Sequence, residues 1–322
     1  MTVADVRKTQ MTTIDPISFN LWKSDKEAFA KAFGESFKET GFAIISDHTI
    51  AQDIIDAADA ASKKYFALPE DTKREYADPD DGFQRGHSPT GTENAKGKTE
   101  PDLKEFWHTG RELPAGSPYR AKMKDTPRVT EIDGFDVATR ELYEALDVFG
   151  AELLRAVAIY LKLDENWFDD KVNVGNSILR LLHYPPQKTP PPQGTERAGA
   201  HEDINLITLL LGAEEAGLQA KHRSGKWLDV NAPQGAIVVN VGDMLQRMTA
   251  GILPSTTHRV LNPAPERSSF PRYSKPFFLH LNSDAIISPL QSCLDMGGTA
   301  EPDITANDYL TQRLIEIGLI KV

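Results

Sequence analysis

The sequence predicts a mainly β fold, a double-sheet barrel or jelly roll, with helices packed around it. Two observations predict this. The first half of the chain has apolar residues at helical spacing, whereas the second half contains short β-branched and apolar runs separated by Gly, Pro and Asn. Helices followed by many short strands are typical of a β-sandwich or barrel with a helical section in front.

The first helix is predicted within "SDKEAFAKAFGESFKETG". Ser24 and Glu27 have the spacing of a capping box, in which each side chain satisfies a free backbone group of the first turn. Three phenylalanines then recur every fourth residue and form one apolar stripe, and Gly41 is a typical helix end. The phenylalanines are Phe29, Phe33 and Phe37.

Further elements follow from the same periodicities. "GFAIISD" is predicted as a buried strand, residues 51–69 as a helix that ends at Pro69, and residues 135–163 as a long helix. Residues 78–131 are polar, rich in Gly and Pro, and are expected to form an irregular lid loop.

Strands are predicted at "SILRLLHY", "INLITLLL", "GLQAK", "WLDV", "AIVVNVG", "THRVLN" and "KPFFLHLN". A last helix is expected from Asp308 to Ile317.

Composition excludes several classes of function. The net charge is −11, which disfavours binding to nucleic acid or to anionic membrane surfaces. Cys293 is the single cysteine, so an internal disulfide and a cysteine-based zinc site are excluded. We find no signal peptide and no apolar run of the roughly 20 residues that a membrane span needs. A cytoplasmic location is therefore expected.

A metal site is suggested by "GAHEDINLITLL". His201 and Asp203 are two residues apart, so in extended backbone both side chains lie on one face. His258 in "STTHRVLN" is a third candidate. Two imidazoles and one carboxylate form the facial triad of non-haem Fe(II) oxygenases, although zinc sites use the same ligands. A chance pairing without any metal is the alternative.

Two further pairs of side chains suggest carboxylate binding. Arg272 and Ser274 share a face by the same i, i+2 spacing, and a guanidinium beside a hydroxyl suits a carboxylate. Arg180 and Tyr184 also alternate onto one face and are candidates for a second carboxylate. A cross-strand ion pair is the alternative for each arginine.

Together these motifs resemble a known family. "GAHEDINLITLL", "GLQAKHRSGKWLDVNAPQGAIVVNVGDMLQRMTAGILPSTTHRVLNP" and "RYSKPFFLH" are similar to the Fe(II)/2-oxoglutarate-dependent oxygenases related to isopenicillin N synthase. "IDPISF", "TGFAIISDH", "YFALPEDTK" and "DLKEFWHTG" resemble the front section of the same family. The resemblance spans roughly residues 14 to 290.

The resemblance implies a double-stranded β-helix and assigns roles to particular residues. The implied iron ligands are His201, Asp203 and His258, and the implied 2-oxoglutarate ligands are Arg272, Ser274 and Tyr184. The implied organisation is one oxygenase domain over residues 1–322. It comprises a helical section over 1–170 with the lid loop 78–131, a β-helix core over 171–290 and a helical segment over 291–322.

The implied reaction consumes O₂ and couples oxidative decarboxylation of 2-oxoglutarate, to succinate and CO₂, to oxidation of a small molecule, usually hydroxylation. Two alternatives stay open: an isopenicillin N synthase-like oxidase or cyclase that uses no 2-oxoglutarate, and a non-enzymatic metal- or ligand-binding protein. Arg85, Phe106 and Arg180 are candidate substrate residues, and the mixture of aromatic and cationic groups favours an acidic substrate. We expect a monomer or a homodimer.

Overall fold

Two facing β-sheets form the centre of the protein, in a computed structural model that describes residues 13–92, 103–187, 197–211, 217–263 and 265–316. In chain order the strands are β1 (Pro16–Ser18), β2 (Phe42–Ser46), β3 (Gly86–Ser88), β4 (Glu105–Gly110), β5 (Ile178–Tyr184), β6 (Ala198–His201), β7 (Ile207–Leu211), β8 (Leu218–Lys221), β9 (Trp227–Asp229), β10 (Ile237–Val241), β11 (His258–Val260), β12 (Arg272–Ser274), β13 (Pro276–Leu279), β14 (Ile286–Ile287) and β15 (Ile304–Thr305).

Helices surround the sheets. They are α1 (Asn20–Ser24), α2 (Lys26–Thr40), α3 (Gln52–Phe66), α4 (Glu70–Arg74), α5 (Phe135–Tyr160), α6 (Asp169–Val172), α7 (Asp243–Met248), α8 (Gln291–Asp295) and α9 (Ala306–Glu316). Short 3-10 helices lie at Pro79–Asp81, Pro118–Ala121 and Pro265–Arg267. Among the described residues, no helix combines the length and the apolar character needed to cross a membrane.

The larger sheet has the strand order β1-β2-β10-β7-β13-β5-β4-β3, and β12 also pairs with β5. The smaller sheet has the order β6-β11-β8-β9. β14 and β15 form a separate two-stranded ladder beside the last helix. Strands that follow one another in the sequence are therefore often not adjacent in a sheet. This arrangement brings strands that are distant in the sequence to the same site.

Each strand of the larger sheet divides its side chains between two environments. Odd-numbered residues of β5 and β7, such as Leu179 and Leu209, pack with α2, α3 and α5 in the main apolar core. Residues of the opposite face, such as Ile44 and Val238, pack with Leu218 of the smaller sheet in a second core. The period-2 alternation of strands thus separates a helix-facing side from the interior between the sheets.

The predicted amphipathic helix is confirmed as α2. The phenylalanine stripe is fully buried, and Gly41 ends the helix in the left-handed conformation with φ 72°. The prediction of a capping box is wrong. The helix is capped by Asp25, whose side chain accepts a hydrogen bond from the Ala28 N–H. Ser24 instead donates its hydroxyl to carbonyls of α1, so it closes the preceding helix.

Residues 78–131 were predicted to form an irregular lid loop, and this prediction is wrong for part of the segment. It contains β3 and β4, and β4 lies between β3 and β5 in the larger sheet. All six residues of β4 are buried, so its polar side chains face other protein groups instead of water. The strand was hidden in the sequence because alternation of polar and apolar residues is lost when both faces are buried.

The N-terminal section is also more than helical, since β1 to β4 all join the larger sheet. The long helix predicted over 135–163 is confirmed as α5, and the last helix as α9. The division into segments 1–170, 171–290 and 291–322 stays a prediction.

His87 of β3 makes folding sensitive to pH. Its side chain is fully buried opposite Trp107, and within the described residues neither ring nitrogen has a hydrogen-bond partner. Burial lowers the pKa of His87 from 6.5 to about 4. The folded protein therefore binds this proton only near pH 4, whereas the unfolded chain binds it near pH 6.5.

We expect the free energy of unfolding to fall as the pH drops from 6.5 towards 4, by up to about 1.4 kcal/mol per pH unit from this residue. In His87→Leu the free energy of unfolding should fall less steeply with pH, because one proton fewer is taken up on unfolding. Urea unfolding at several pH values measures this slope. His222→Leu, in the turn between β8 and β9, is the control and should follow the wild-type protein. Equal slopes for His87→Leu and wild type would contradict the assignment.

Candidate metal and cosubstrate site

Two histidines face each other across neighbouring strands of the smaller sheet. His201 ends β6 and His258 begins β11, they are direct partners in the ladder, and their ring centres are 4.5 Å apart. The Nδ1 atoms lie 2.8 Å from the Gly199 carbonyl and 3.1 Å from the Thr256 carbonyl. A carbonyl only accepts, so each Nδ1 carries the proton and each Nε2 presents its lone pair.

Asp203 supplies a carboxylate to the same point. Its Oδ1 is 3.7 Å from Nε2 of His201 and its Oδ2 is 3.8 Å from Nε2 of His258. Thr208 of β7 and Asn240 of β10 both donate to Oδ2, at 2.6 and 2.8 Å. Asp203 is thus fixed to the larger sheet, whereas both histidines belong to the smaller one.

The turn that carries Asp203 is itself held tightly. The Asn205 amide donates to the Thr208 hydroxyl at 2.8 Å, which directs the hydroxyl proton towards Asp203. Gly242 lies against this turn, and a Cβ there would come within 2.1 Å of the Asn205 side-chain oxygen. Glycine is required for this close approach, so Gly242 has a structural role.

The charges of the site favour a metal-binding state. Desolvation and repulsion from His258 lower the pKa of His201 to about 4, so its imidazole is neutral at pH 7. Burial alone would raise the pKa of Asp203, but attraction to the two histidines in their protonated forms and the hydrogen bonds from Asn240 and Thr208 hold it below its ordinary value. Neutral imidazoles and an ionised carboxylate are the forms that bind metal ions.

The three side chains fit a divalent ion. Their ligand atoms all lie within 4.8 Å of one another. Atoms that share one ion at bond lengths of about 2.1 Å are roughly 3 Å apart, so small side-chain rotations suffice. Two nitrogens and one oxygen on one side of an ion leave its other positions open. Glu202, between two of these residues, points away and accepts a hydrogen bond from Thr257.

The predicted cosubstrate residues also come together. Arg272 pairs with Tyr184 across β12 and β5, and its guanidinium carbon is 5.3 Å from the Tyr184 ring centre. Ser274 lies two residues along on the same face, and all three side chains are buried. Arg197 was not predicted from the sequence; it is 1% exposed, and its guanidinium carbon lies 5.8 Å from the centre of the Tyr184 ring. Buried guanidinium groups beside a hydroxyl are suited to a carboxylate.

Arg180 lies on the same face of β5 as Tyr184, and its guanidinium is close to two phenylalanine rings. Its guanidinium carbon is 4.1 Å from the Phe106 ring centre and 5.2 Å from that of Phe278. Its Nε donates to Nε2 of His108 at 2.7 Å, and Nδ1 of His108 donates to the Phe83 carbonyl. The structure therefore brings Arg180 and Phe106 together, and His108 orients the guanidinium.

Arg85 is placed differently from Arg180. It is buried, and its guanidinium donates to the carbonyls of Lys124 and Gln84 and to the Asn176 side chain at 3.2, 2.7 and 2.6 Å. These contacts fasten the start of β3 to two other segments, which is a structural role.

A second group of ligand-type side chains lies behind β4. Glu70, His87 and Glu105 bring their ligand atoms within 4.8 Å of one another. The ammonium of Lys73 lies 3.1 Å from Glu70 and 2.5 Å from Glu105, so an internal cation already occupies this position. We assign Lys73 and Glu105 as a buried ion pair, with Glu70 beside it at the surface.

Thr208 and Asn240 were not among the site residues predicted from the sequence. Each is a polar residue on the inward side of an otherwise apolar strand, in "ITLLL" and "IVVNV". A buried polar residue needs a hydrogen-bond partner, so a polar residue within an apolar strand could have indicated a polar site between the sheets.

Comparisons with known proteins agree with this geometry. Residues 14–131 match the family model described as non-haem dioxygenase in morphine synthesis N-terminal, and residues 175–281 match that of the 2OG-Fe(II) oxygenase superfamily. The chain is 34% identical over 286 residues to the 2-oxoglutarate-Fe(II) type oxidoreductase hxnY of Emericella nidulans, covering 86% of this chain and 81% of that one.

Solved structures agree as well. A 2OG-Fe(II) oxygenase family protein from Caulobacter crescentus is 50% identical, with a TM-score of 0.88 over 95% of this chain and 100% of that one. A full-length Neurospora crassa protein, solved in complex with alpha-KG and thymine, is 30% identical, with a TM-score of 0.84 over 95% and 98%. These similarities confirm the double-stranded β-helix and favour 2-oxoglutarate dependence over the alternatives without it. The chain belongs to the 2OG-Fe(II) oxygenase superfamily and is an Fe(II)- and 2-oxoglutarate-dependent dioxygenase.

Proposed function

We propose that this dioxygenase hydroxylates a small molecule at an Fe(II) ion held by His201, Asp203 and His258. The observation that carries the proposal is the convergence of two Nε2 lone pairs and one carboxylate on a single point between the sheets. Bound Fe(II) would supply O₂ activation coupled to decarboxylation of 2-oxoglutarate. The chain's own contribution is to hold the ligands in the right protonation state and orientation.

Arg272, Ser274 and Tyr184 are proposed to bind the 2-oxoglutarate carboxylate that lies away from the metal. Arg272 is 4% exposed and Ser274 is 6% exposed, so a carboxylate there would be shielded from competing water. A charge-assisted pair in such a place is stronger than one at the surface. The second guanidinium near Tyr184, that of Arg197, adds positive potential for a dianion.

The substrate is proposed to be a small planar molecule that carries an anionic or carbonyl oxygen. Arg180 offers a guanidinium fixed by His108, and the rings of Phe106 and Phe278 beside it offer apolar faces for stacking. The complex of the Neurospora crassa relative with thymine supports a planar substrate of this size. A cytoplasmic location, and a monomer or homodimer, stay predictions from the sequence.

The cosubstrate assignment predicts the behaviour of Arg272→Met. The wild-type protein with Fe(II) should form succinate from 2-oxoglutarate, and the variant should need about 100-fold more 2-oxoglutarate, because a charge-assisted pair is lost. Arg74→Met, which removes an exposed arginine of α4, is the matched control. O₂ consumption without succinate would contradict 2-oxoglutarate dependence.

The hydrogen bond from Thr208 predicts a change in metal affinity. Thr208→Val keeps the side-chain shape but leaves Asp203 with one donor fewer, and we expect Fe(II) to bind about tenfold more weakly. Equilibrium dialysis under anaerobic conditions measures the affinity. Thr139→Val, a buried threonine of α5 outside the site, should bind Fe(II) like wild type. Equal affinities for both variants would remove Thr208 from the metal site.

The substrate assignment predicts a selective defect in Arg180→Leu. Thymine and a panel of aromatic carboxylates are tested for stimulation of succinate formation by the wild-type protein. For each compound that stimulates it, kcat/KM should fall at least about tenfold in the variant, since a hydrogen-bonding charge is lost. The KM for 2-oxoglutarate should stay within about twofold. An unchanged kcat/KM for every active compound would place the substrate elsewhere.

A further inference from the structure

Three side chains form a row across β4, β5 and β12, on the helix-facing side of the larger sheet. Glu105 pairs with His183, and His183 pairs with Tyr273. Tyr273 lies between Arg272 and Ser274 in the sequence, so its side chain is on the opposite face from theirs. The row is therefore directly behind the proposed 2-oxoglutarate ligands.

The members of the row are in close contact. The rings of His183 and Tyr273 are stacked, with centres 4.9 Å apart and planes at 17°. Phe66, the last residue of α3, stacks on His183 as well, with ring centres 5.1 Å apart. Nδ1 of His183 is 2.8 Å from Oε1 of Glu105. The histidine is thus fixed both by stacking and by a hydrogen bond.

Lys73 of α4 holds the far end of the row. Its ammonium is 2.5 Å from Oε2 of Glu105, and both residues are nearly fully buried. Burial opposes the charge on Glu105, but the hydrogen bonds from His183 and Lys73 outweigh it and hold the pKa of Glu105 below its ordinary value. A buried ionised pair of this kind resists displacement, because moving either partner leaves a charge unpaired.

The strand that carries the proposed 2-oxoglutarate ligands is short, and the next residue, Lys275, pairs its ammonium with Asp59 of α3 at 2.6 Å. β12 has three residues, and of the strands described only β5 pairs with it. Tyr273 is its one side chain on the helix-facing side. The stacking of Tyr273 on His183 is therefore the contact by which a side chain of β12 itself fixes the strand on its helix-facing side.

We infer that Glu105, His183 and Tyr273 are positioning residues that set the affinity for 2-oxoglutarate by fixing β12. The inference rests on the proposed function, in which Arg272 and Ser274 bind that cosubstrate. None of the three faces the interior between the sheets, so their effect is indirect. It should appear in 2-oxoglutarate binding and not in binding of Fe(II), whose proposed ligands lie on β6, on β11 and in the turn after β6.

The test compares His183→Leu and Tyr273→Leu with three references. Tyr273→Phe keeps the stacked ring, Phe33→Leu weakens the core at α2 away from β12, and Arg272→Met removes the proposed anchor itself. Binding of 2-oxoglutarate to the Fe(II)-loaded protein is followed anaerobically through the visible charge-transfer absorption of the complex. Fe(II) affinity is measured by dialysis, and thermal unfolding is recorded for every variant.

We expect His183→Leu and Tyr273→Leu to raise the Kd for 2-oxoglutarate about tenfold and to leave the Kd for Fe(II) within about twofold. Tyr273→Phe should bind 2-oxoglutarate like wild type. Phe33→Leu should lower the unfolding temperature without changing the Kd for 2-oxoglutarate.

Two results would overturn the inference on its own. One is an unchanged Kd for 2-oxoglutarate in both leucine variants while Arg272→Met loses binding, which leaves the proposed function intact. The other is an equal rise in Phe33→Leu, which would reduce the effect to general loss of stability. If Arg272→Met binds 2-oxoglutarate like wild type, the proposed function fails, and the inference fails with it.

Discussion

The site depends on the attachment of Asp203 to one sheet while its two histidine partners belong to the other. His201 and His258 are fixed side by side because their strands pair directly. Asp203 is fixed from across the interior by the hydroxyl of Thr208 and the amide of Asn240. A wider separation of the sheets would move the carboxylate away from the imidazoles, so the geometry of the site depends on the packing between the sheets.

Strand alternation allows the larger sheet to meet two demands at once. On β5, Arg180 and Tyr184 face the interior, where polar groups are needed, whereas Leu181 packs on the helices. His183 is the exception on the helix-facing side, because it is a buried polar residue. The burial of His183 is tolerated because Glu105 of the adjacent strand supplies a hydrogen-bond partner. Buried polar side chains are therefore present on both faces at this end of the sheet.

Local signals predicted those elements whose pattern has a local cause. The apolar stripe of α2 and its end at Gly41 follow from helix geometry and backbone conformation, and both are confirmed. The helix start was misplaced by one residue because Ser24 and Asp25 are both good caps, and only the end of α1 decides between them. β4 escaped prediction for a different reason: the partners of its buried polar residues lie on other elements, which the sequence does not place next to it.

The sites show the same difference between what local sequence predicts and what depends on partners from other elements. Residue types identified His201, Asp203 and His258 as a candidate metal site, yet the same criterion admits Glu70, His87 and Glu105, whose ligand atoms lie equally close together. What separates the two groups is the partners of their carboxylates. Lys73 fills the second group with its own positive charge, whereas Thr208 and Asn240 donate to the first and stabilise its carboxylate in the ionised form. A carboxylate that already neutralises an ammonium gains little from a metal ion, but one held ionised by neutral donors still carries a net negative charge that attracts a cation.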